Sequence, residues 1–184
     1  MAEVLIVAAT EPELCGHAGL VCGVGPVEAS AATARALARA EAAAVLHVGI
    51  AGARREAGLL VGSLALGAFA VYEDLGTELA PRSIAAAPQL VAAVGVVLPD
   101  APLLRIGTTA RVGGADACPV EAMEGFAVLR AAELAGVPAV EVRAISNHVE
   151  DERADWDVEG ALDALGQALP ALVAAITAAV SSSP

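Results

Sequence analysis

The residues able to do chemistry gather where apolar runs stop. Glu11 and Glu13 follow the run Glu3 to Ala9, and Gly23-Val24-Gly25-Pro26 follows Leu20-Val21-Cys22. Gly49-Ile50-Ala51-Gly52 follows Val45-Leu46-His47-Val48, Glu73-Asp74 follows Leu64 to Tyr72, and Ser146-Asn147-His148 follows Ala139 to Ile145. Glu121 and Glu124 stand at the start of a long helical pattern. Carboxylates can take a proton from water or face a developing positive charge. An amide offers both a donor and an acceptor. His17, His47 and His148 have no ligand spacing, so neither a metal nor a cofactor is implied. Gly23-Val24-Gly25 starts like a dinucleotide fingerprint, but Glu28 stands where the third glycine belongs. That loop reads as a tight turn into a helix.

The elements that must position these groups alternate. The run Glu3–Ala9 is short, continuous and β-branched, as a strand buried on both faces should be. Further strands are expected at 20–22, 45–48, 64–72, 103–108 and 139–145. Helices are expected at Val27–Ala44, around Pro88–Val94, at Val120–Ala135 and at Glu159–Val180, with Ser181–Pro184 a loose tail. Pro26 suits a first helical position, and Gly136 with Pro138 ends the third helix. This is the α/β class: one domain over residues 1–180, a three-layer sandwich around a mixed, largely parallel sheet. In such sheets ligands bind beyond the carboxyl ends of the strands, where the acids, glycines and amides lie.

Composition narrows the function. The chain has 184 residues and a net charge of -12, with 22 acids against 10 bases, all of them Arg. A nucleic-acid surface needs clustered cations, so that partner is excluded. Hydrophobic residues make up 57%, but about a quarter of the chain is alanine, which hides little surface. No uninterrupted apolar run reaches the roughly 20 residues of a membrane span, and no basic leader precedes the first strand. Cys15, Cys22 and Cys118 form an odd set without a C-x-x-C pair and read as small buried hydrophobes. A cytoplasmic protein without a membrane partner is expected.

Val120-Glu121-Ala122-Met123-Glu124-Gly125 followed by Arg143-Ala144-Ile145-Ser146-Asn147, behind the two glycine segments, resembles the nucleoside phosphorylase and nucleosidase superfamily. With the later Trp156, the pattern is most similar to its futalosine hydrolase family, over residues 3 to 160. The resemblance implies a nucleosidase that hydrolyses a 6-oxopurine nucleoside, futalosine above all, to hypoxanthine and dehypoxanthine futalosine in menaquinone biosynthesis. It implies that Glu13 is the catalytic acid/base acting on water. Glu124 would grip the ribose hydroxyls above Met123. Asn147 would read the purine edge with Ser146 supporting it, and Ile50, Ala51 and Gly52 would lie along the base. It also implies a homodimer or higher homo-oligomer.

The physics agrees with such roles. Breaking an N-glycosidic bond builds positive charge on the ribose, which an ionised Glu stabilises. An Asn suits a 6-oxopurine, whereas an Asp would favour adenine, as in methylthioadenosine/adenosylhomocysteine nucleosidases. A phosphorylase would need fixed cations for phosphate. None occurs from Met1 to Ala34, and His47 stands where phosphorylases of the superfamily carry an Arg. Arg54, Arg55 and Arg143 remain as possible phosphate ligands. Two departures stand out. The segment between Asp74 and Leu103 is short, which leaves a non-catalytic nucleoside-binding protein as a further alternative. Gly113–Pro119 also lacks the aromatic that often stacks on the base, with Trp156, Phe126 or Tyr72 as substitutes.

Overall fold

A computed structural model describes residues 3–115 and 117–182. Eight strands and four α-helices follow in the order β1 (Val4–Ala8), β2 (Leu20–Val21), α1 (Pro26–Leu37), β3 (Ala44–Ala53), β4 (Leu64–Tyr72), β5 (Ser83–Ala85), α2 (Pro88–Val97), β6 (Leu103–Thr108), β7 (Val120–Ala122), α3 (Gly125–Leu134), β8 (Ala139–His148) and α4 (Val158–Ser181). Among the described residues, 3-10 turns follow β1 at Pro12–Leu14, β3 at Arg55–Ala57 and β8 at Arg153–Asp155. Parallel pairing joins β2, β1 and β3, then β3 to β8. Beyond that the sheet closes on itself. β8 runs antiparallel to β4, β4 parallel to β6, β6 parallel to β7, and β7 returns antiparallel to the far end of β3. β5 adds an antiparallel edge to β4.

The period-two alternation of the central strands sorts their side chains into two layers. Leu46, Val48, Val140 and Val142 face α2 and α4, meeting Leu90, Val94, Leu165, Leu169, Leu172 and Ile176. Val7, Val45 and Ala139 face the other side, against Ala29 of α1 and Val128 and Leu129 of α3. The three-layer α/β sandwich with a mixed, largely parallel sheet is therefore the observed architecture. α4 is long and apolar enough to cross a membrane by length and composition alone. Here it lays its Ala161-Leu165-Leu169-Leu172-Ile176 stripe on the sheet.

Several boundaries differ from the sequence reading. The helix expected over Val120–Ala135 is two elements, because β7 bridges β3 and β6 before α3 begins at Gly125. Glu121 thus lies on a strand and not at a helix start. The helix expected from Val27 to Ala44 stops at Leu37, since the chain must turn back for Ala43 N–H to donate to Glu3 and for β3 to pair with β1. The Gly49–Gly52 segment continues β3 to Ala53 instead of forming a loop, and Ser146-Asn147-His148 are the last residues of β8. Within the expected tail Ser181 still belongs to α4, while residues 183 and 184 lie outside the described residues.

Leu169 is fully buried between α4 and the sheet. Leu169→Ala is expected to cost about 2–5 kcal/mol and to lower Tm by roughly 5 °C or more. A thermal melt checks this; an unchanged Tm would mean that α4 does not hold the layer together.

Candidate active site

Where the carboxyl ends of β1, β3 and β8 meet β7, a cavity of about 390 Å³ opens, within the roughly 300–1,000 Å³ usual for small-molecule sites. Glu13, Ile50, Ala51, Gly52, Met123, Glu124, Ser146 and Asn147 all line it. Glu11, Glu73, Asp74 and His148 do not. Asp74 instead accepts the Ala110 N–H (2.5 Å), and His148 turns to the Leu59 carbonyl (3.1 Å) and to Asp151.

Each polar group of the cavity is held by a specific local feature. Pro12 starts the 3-10 turn that carries Glu13, and the turn ends at Cys15 in the left-handed region (φ +49°). Glu13 Oε2 accepts from Thr10 N–H (2.9 Å) and Thr10 Oγ1 (2.8 Å), while Oε1 accepts from Ile50 N–H (3.0 Å). Glu124 precedes the first turn of α3, and its Oε1 accepts the N–H of Gly25 (2.9 Å). Gly25 sits at φ +91°, a conformation open to glycine, so the Gly23–Pro26 loop serves to hold Glu124. A register shift between Ala51 and Gly52 places Gly52 opposite Asn147. A Cβ at Gly52 would come within 3.1 Å of Asn147 Nδ2, so the glycine leaves room for the amide. Ser146 Oγ donates to Asn147 Oδ1 (2.8 Å), and Nδ2 donates one N–H to the His148 carbonyl (2.8 Å).

Behind the floor lies a buried charge cluster. Arg143, Glu141 and His47 are fully buried, with Glu13 and Glu124 nearly so. Arg143 Nε donates to Glu141 Oε1 at 2.7 Å, and Nη2 stands 3.8 Å from Glu124 Oε2 while donating to His47 Nε2. His47 Nδ1–H donates to the Val7 carbonyl (2.9 Å), which leaves Nε2 as the acceptor. Burial, and then the Arg143 charge, hold the imidazole well below its ordinary titration range, so it is neutral. Burial alone would make Arg143 easier to deprotonate, but Glu141, Glu124 and Glu13 outweigh that and keep it charged. Burial pushes the Glu124 carboxyl up, against the opposing pull of Arg143 and the Gly25 N–H.

Arg143, by sequence a possible phosphate ligand, lies below the cavity paired with Glu141 and His47 and is part of its floor. Arg55 pairs with Asp151 at the surface. Among the described residues lining the cavity, Arg153 is the one cation, laid over the Trp156 ring at 5.5 Å. Of the three aromatic substitutes, Trp156 lines the cavity, while Tyr72 and Phe126 stack on each other (centroids 5.3 Å apart). Glu141 and His47 carry no site role in the sequence, and Glu121 is a candidate acid there without an assigned task. Glu121 accepts the N–H groups of Gly113 (2.5 Å) and Ala115 (2.7 Å), which fixes the loop that brings Val112 to the cavity wall. Charged residues two apart in a strand buried on both faces are the signal that could have found Glu141 and Arg143. Among the described residues no three His, Cys, Asp or Glu side chains converge as metal ligands.

The Phosphorylase superfamily model matches residues 105–181. Futalosine hydrolase from Streptomyces coelicolor is 36% identical over 191 aligned positions, covering 83% of this chain and 78% of that protein. A mutant futalosine hydrolase of Helicobacter pylori strain 26695 has a TM-score of 0.83 at 16% identity, over 95% of this chain and 99% of that one. A 5'-methylthioadenosine/S-adenosylhomocysteine nucleosidase from Colwellia psychrerythraea 34H, in complex with adenine, gives 0.82 at 21% identity over 95% of each chain. These two structural likenesses show the shared fold. Fold and relatives together define an N-glycosidic hydrolase of the phosphorylase superfamily. Within it, the chain belongs to the futalosine hydrolase family.

Two outcomes follow from the cluster. A Cβ at Gly49 would fall 2.4 Å from Arg143 Nη1 and 2.5 Å from Glu13 Oε1, so Gly49→Ala is expected to reduce kcat at least about a hundredfold. Activity retained in a folded Gly49→Ala protein would show that this contact is not critical. Because Glu124 titrates above the ordinary glutamate value of 4.5, turnover that needs its carboxylate is lost as pH falls through that raised value. The acid limb of kcat against pH should therefore have its midpoint above 4.5, and a midpoint at or below it would contradict the assignment.

Proposed function

We propose that residues 1–180 act as one nucleosidase domain that hydrolyses a 6-oxopurine nucleoside, with futalosine as substrate and hypoxanthine and dehypoxanthine futalosine as products. That would place the enzyme in menaquinone biosynthesis. The observation that carries the reading is the pairing of Glu13 and Glu124 at one cavity, with the buried Arg143 beneath them engaged by Glu141.

The chemistry runs as follows. The bond between purine N9 and ribose C1′ breaks, and its electron pair leaves with the base. Positive charge grows on the sugar and is stabilised by the ionised Glu124, which also accepts from the ribose hydroxyls. Water attacks C1′ and gives its proton to Glu13, whose carboxylate is oriented by Thr10 and Ile50. Glu13 then releases that proton to solvent while the departing purine anion takes one up, so that neutral hypoxanthine leaves and the carboxylate is restored. Arg143 Nη1 has no hydrogen-bond partner among the described residues and lies beside Glu13 Oε1 over Gly49, where it donates to the same water. The second N–H of Asn147 Nδ2 donates to the departing purine and lowers the charge that develops there. Met123 packs beneath the ribose, and Ile50, Ala51 and Gly52 lie along the base. Trp156 closes the outer wall.

Phosphate as nucleophile fits poorly. A dianion would stand against Glu13 and Glu124 with only Nη1 of the Arg143 guanidinium left to meet it, since Nε and Nη2 are taken by Glu141 and His47. His47, which occupies the place of a phosphate-binding Arg, points to the Val7 carbonyl. Asn147 supports a 6-oxopurine over adenine. The exposed Val24, Val27 and Val112 at and beside the cavity support assembly into a homodimer or larger homo-oligomer.

Hypoxanthine is expected to appear from futalosine or inosine in phosphate-free buffer, followed by chromatography; no release from either nucleoside refutes the reading. Glu13→Gln and Glu124→Gln should each lower kcat by about a hundredfold or more in a folded protein. Near-normal kcat in one of them would remove that residue from its role. Asn147→Asp should shift the ratio of kcat/KM values towards adenine nucleosides, and an unchanged ratio would place base recognition elsewhere.

A further inference from the structure

The hydrolytic reading uses one free N–H of Arg143 and leaves unexplained what stands behind it. On the face of the sheet turned towards α3, β3 presents His47 and Gly49, and β8 presents Glu141 and Arg143. The parallel register sets His47 opposite Glu141 and Gly49 opposite Arg143. His47, Glu141 and Arg143 are all at 0% exposure. Val45 and Ala139, their neighbours on the same face, show that this layer accepts apolar side chains readily.

A buried ion pair adds little to stability, because desolvation consumes most of the attraction, and an apolar residue of like volume often serves as well. Glu141 also demands space. A Cβ at Gly125 would fall 2.4 Å from Glu141 Oε1 and 2.5 Å from Oε2, so the residue that follows Glu124 must be a glycine to admit this carboxylate. The fold thus gives up a side chain at the start of α3 to keep a buried acid beside Arg143 and His47 in a layer whose other strand residues, such as Val45 and Ala139, are apolar.

The contacts show what the acid does. Glu141 takes Arg143 by Nε, and the neutral His47 takes one N–H of Nη2. Of the three guanidinium nitrogens, Nη1 alone has no hydrogen-bond partner among the described residues, and it lies beside Glu13 Oε1 over the bare Cα of Gly49. We propose that Glu141 is a positioning residue for hydrolysis: with His47 behind it, Glu141 fixes the guanidinium of Arg143 so that Nη1 remains the free donor beside Glu13. This rests on the hydrolytic reading above and assigns to that site a residue that touches neither substrate nor water.

The test compares wild type with Glu141→Gln, which keeps volume and an acceptor but loses the charge. Glu141→Asp is the companion variant, keeping the charge but retracting it by one methylene. Steady-state hypoxanthine release gives kcat and KM, and a thermal melt reports folding. Both variants are expected to lose about tenfold or more in kcat with KM within about threefold, since the ribose and base contacts are untouched. A purely structural Glu141 would instead alter Tm or KM and spare kcat. If Glu141→Gln does not fold, Glu141→Asp decides alone. Wild-type activity with a folded variant retaining kcat within threefold overturns the positioning role and leaves the hydrolase reading standing. A wild type that releases no base overturns the reading and the positioning role together.

Discussion

A single arginine buried among carboxylates governs the architecture of this site. Arg143 reaches no solvent and keeps its charge because Glu141, Glu124 and Glu13 surround it. A guanidinium in a protein interior is tolerated only when its donors are met, and here two of its three nitrogens are. The neutrality of His47 follows from the same cause. A second positive charge beside Arg143 would be costly, so the imidazole gives its proton to the Val7 carbonyl and its lone pair to Nη2.

The backbone is shaped around that cluster. Gly49, Gly52 and Gly125 stand where the side chains of Arg143 with Glu13, of Asn147 and of Glu141 cross, and a Cβ at any of them would collide or crowd. Gly25 has a different task, since its positive φ turns an N–H towards Glu124. The closed path of β3, β8, β4, β6 and β7 fixes these strands against one another, so the acids meet at one end with little freedom. The apolar layers on either face hold that frame. Rigidity of this kind keeps a nucleophile and a developing cation in register.

Much of this was legible in the residues themselves. Continuous β-branched runs gave the strands, and the Met-Glu and Ser-Asn patterns marked residues that the structure gathers around one cavity. Three features were hidden for physical reasons. β7 is only three residues long and holds its place by pairing with two strands distant in sequence, so the Val120–Ala135 pattern read as a single helix. The Gly49–Gly52 segment has a loop composition, yet it is strand because its missing side chains admit those of its neighbours. Glu141 carries no signal of its own and Arg143 reads as a possible phosphate ligand, because only the register of β3 with β8 shows that both are interior. Trp156 could be named from sequence as a candidate aromatic. Its selection over Phe126 and Tyr72 required the tertiary arrangement, in which those two rings satisfy each other.

The central claim is that water, held between Glu13 and Arg143, is the group that attacks the sugar. The most direct test is turnover of a purine nucleoside in isotopically heavy-oxygen water with inorganic phosphate also present, followed by mass spectrometry of the sugar product. The account predicts one heavy oxygen at C1′ and no sugar phosphate. A ribosyl 1-phosphate carrying no solvent oxygen at C1′ would contradict it.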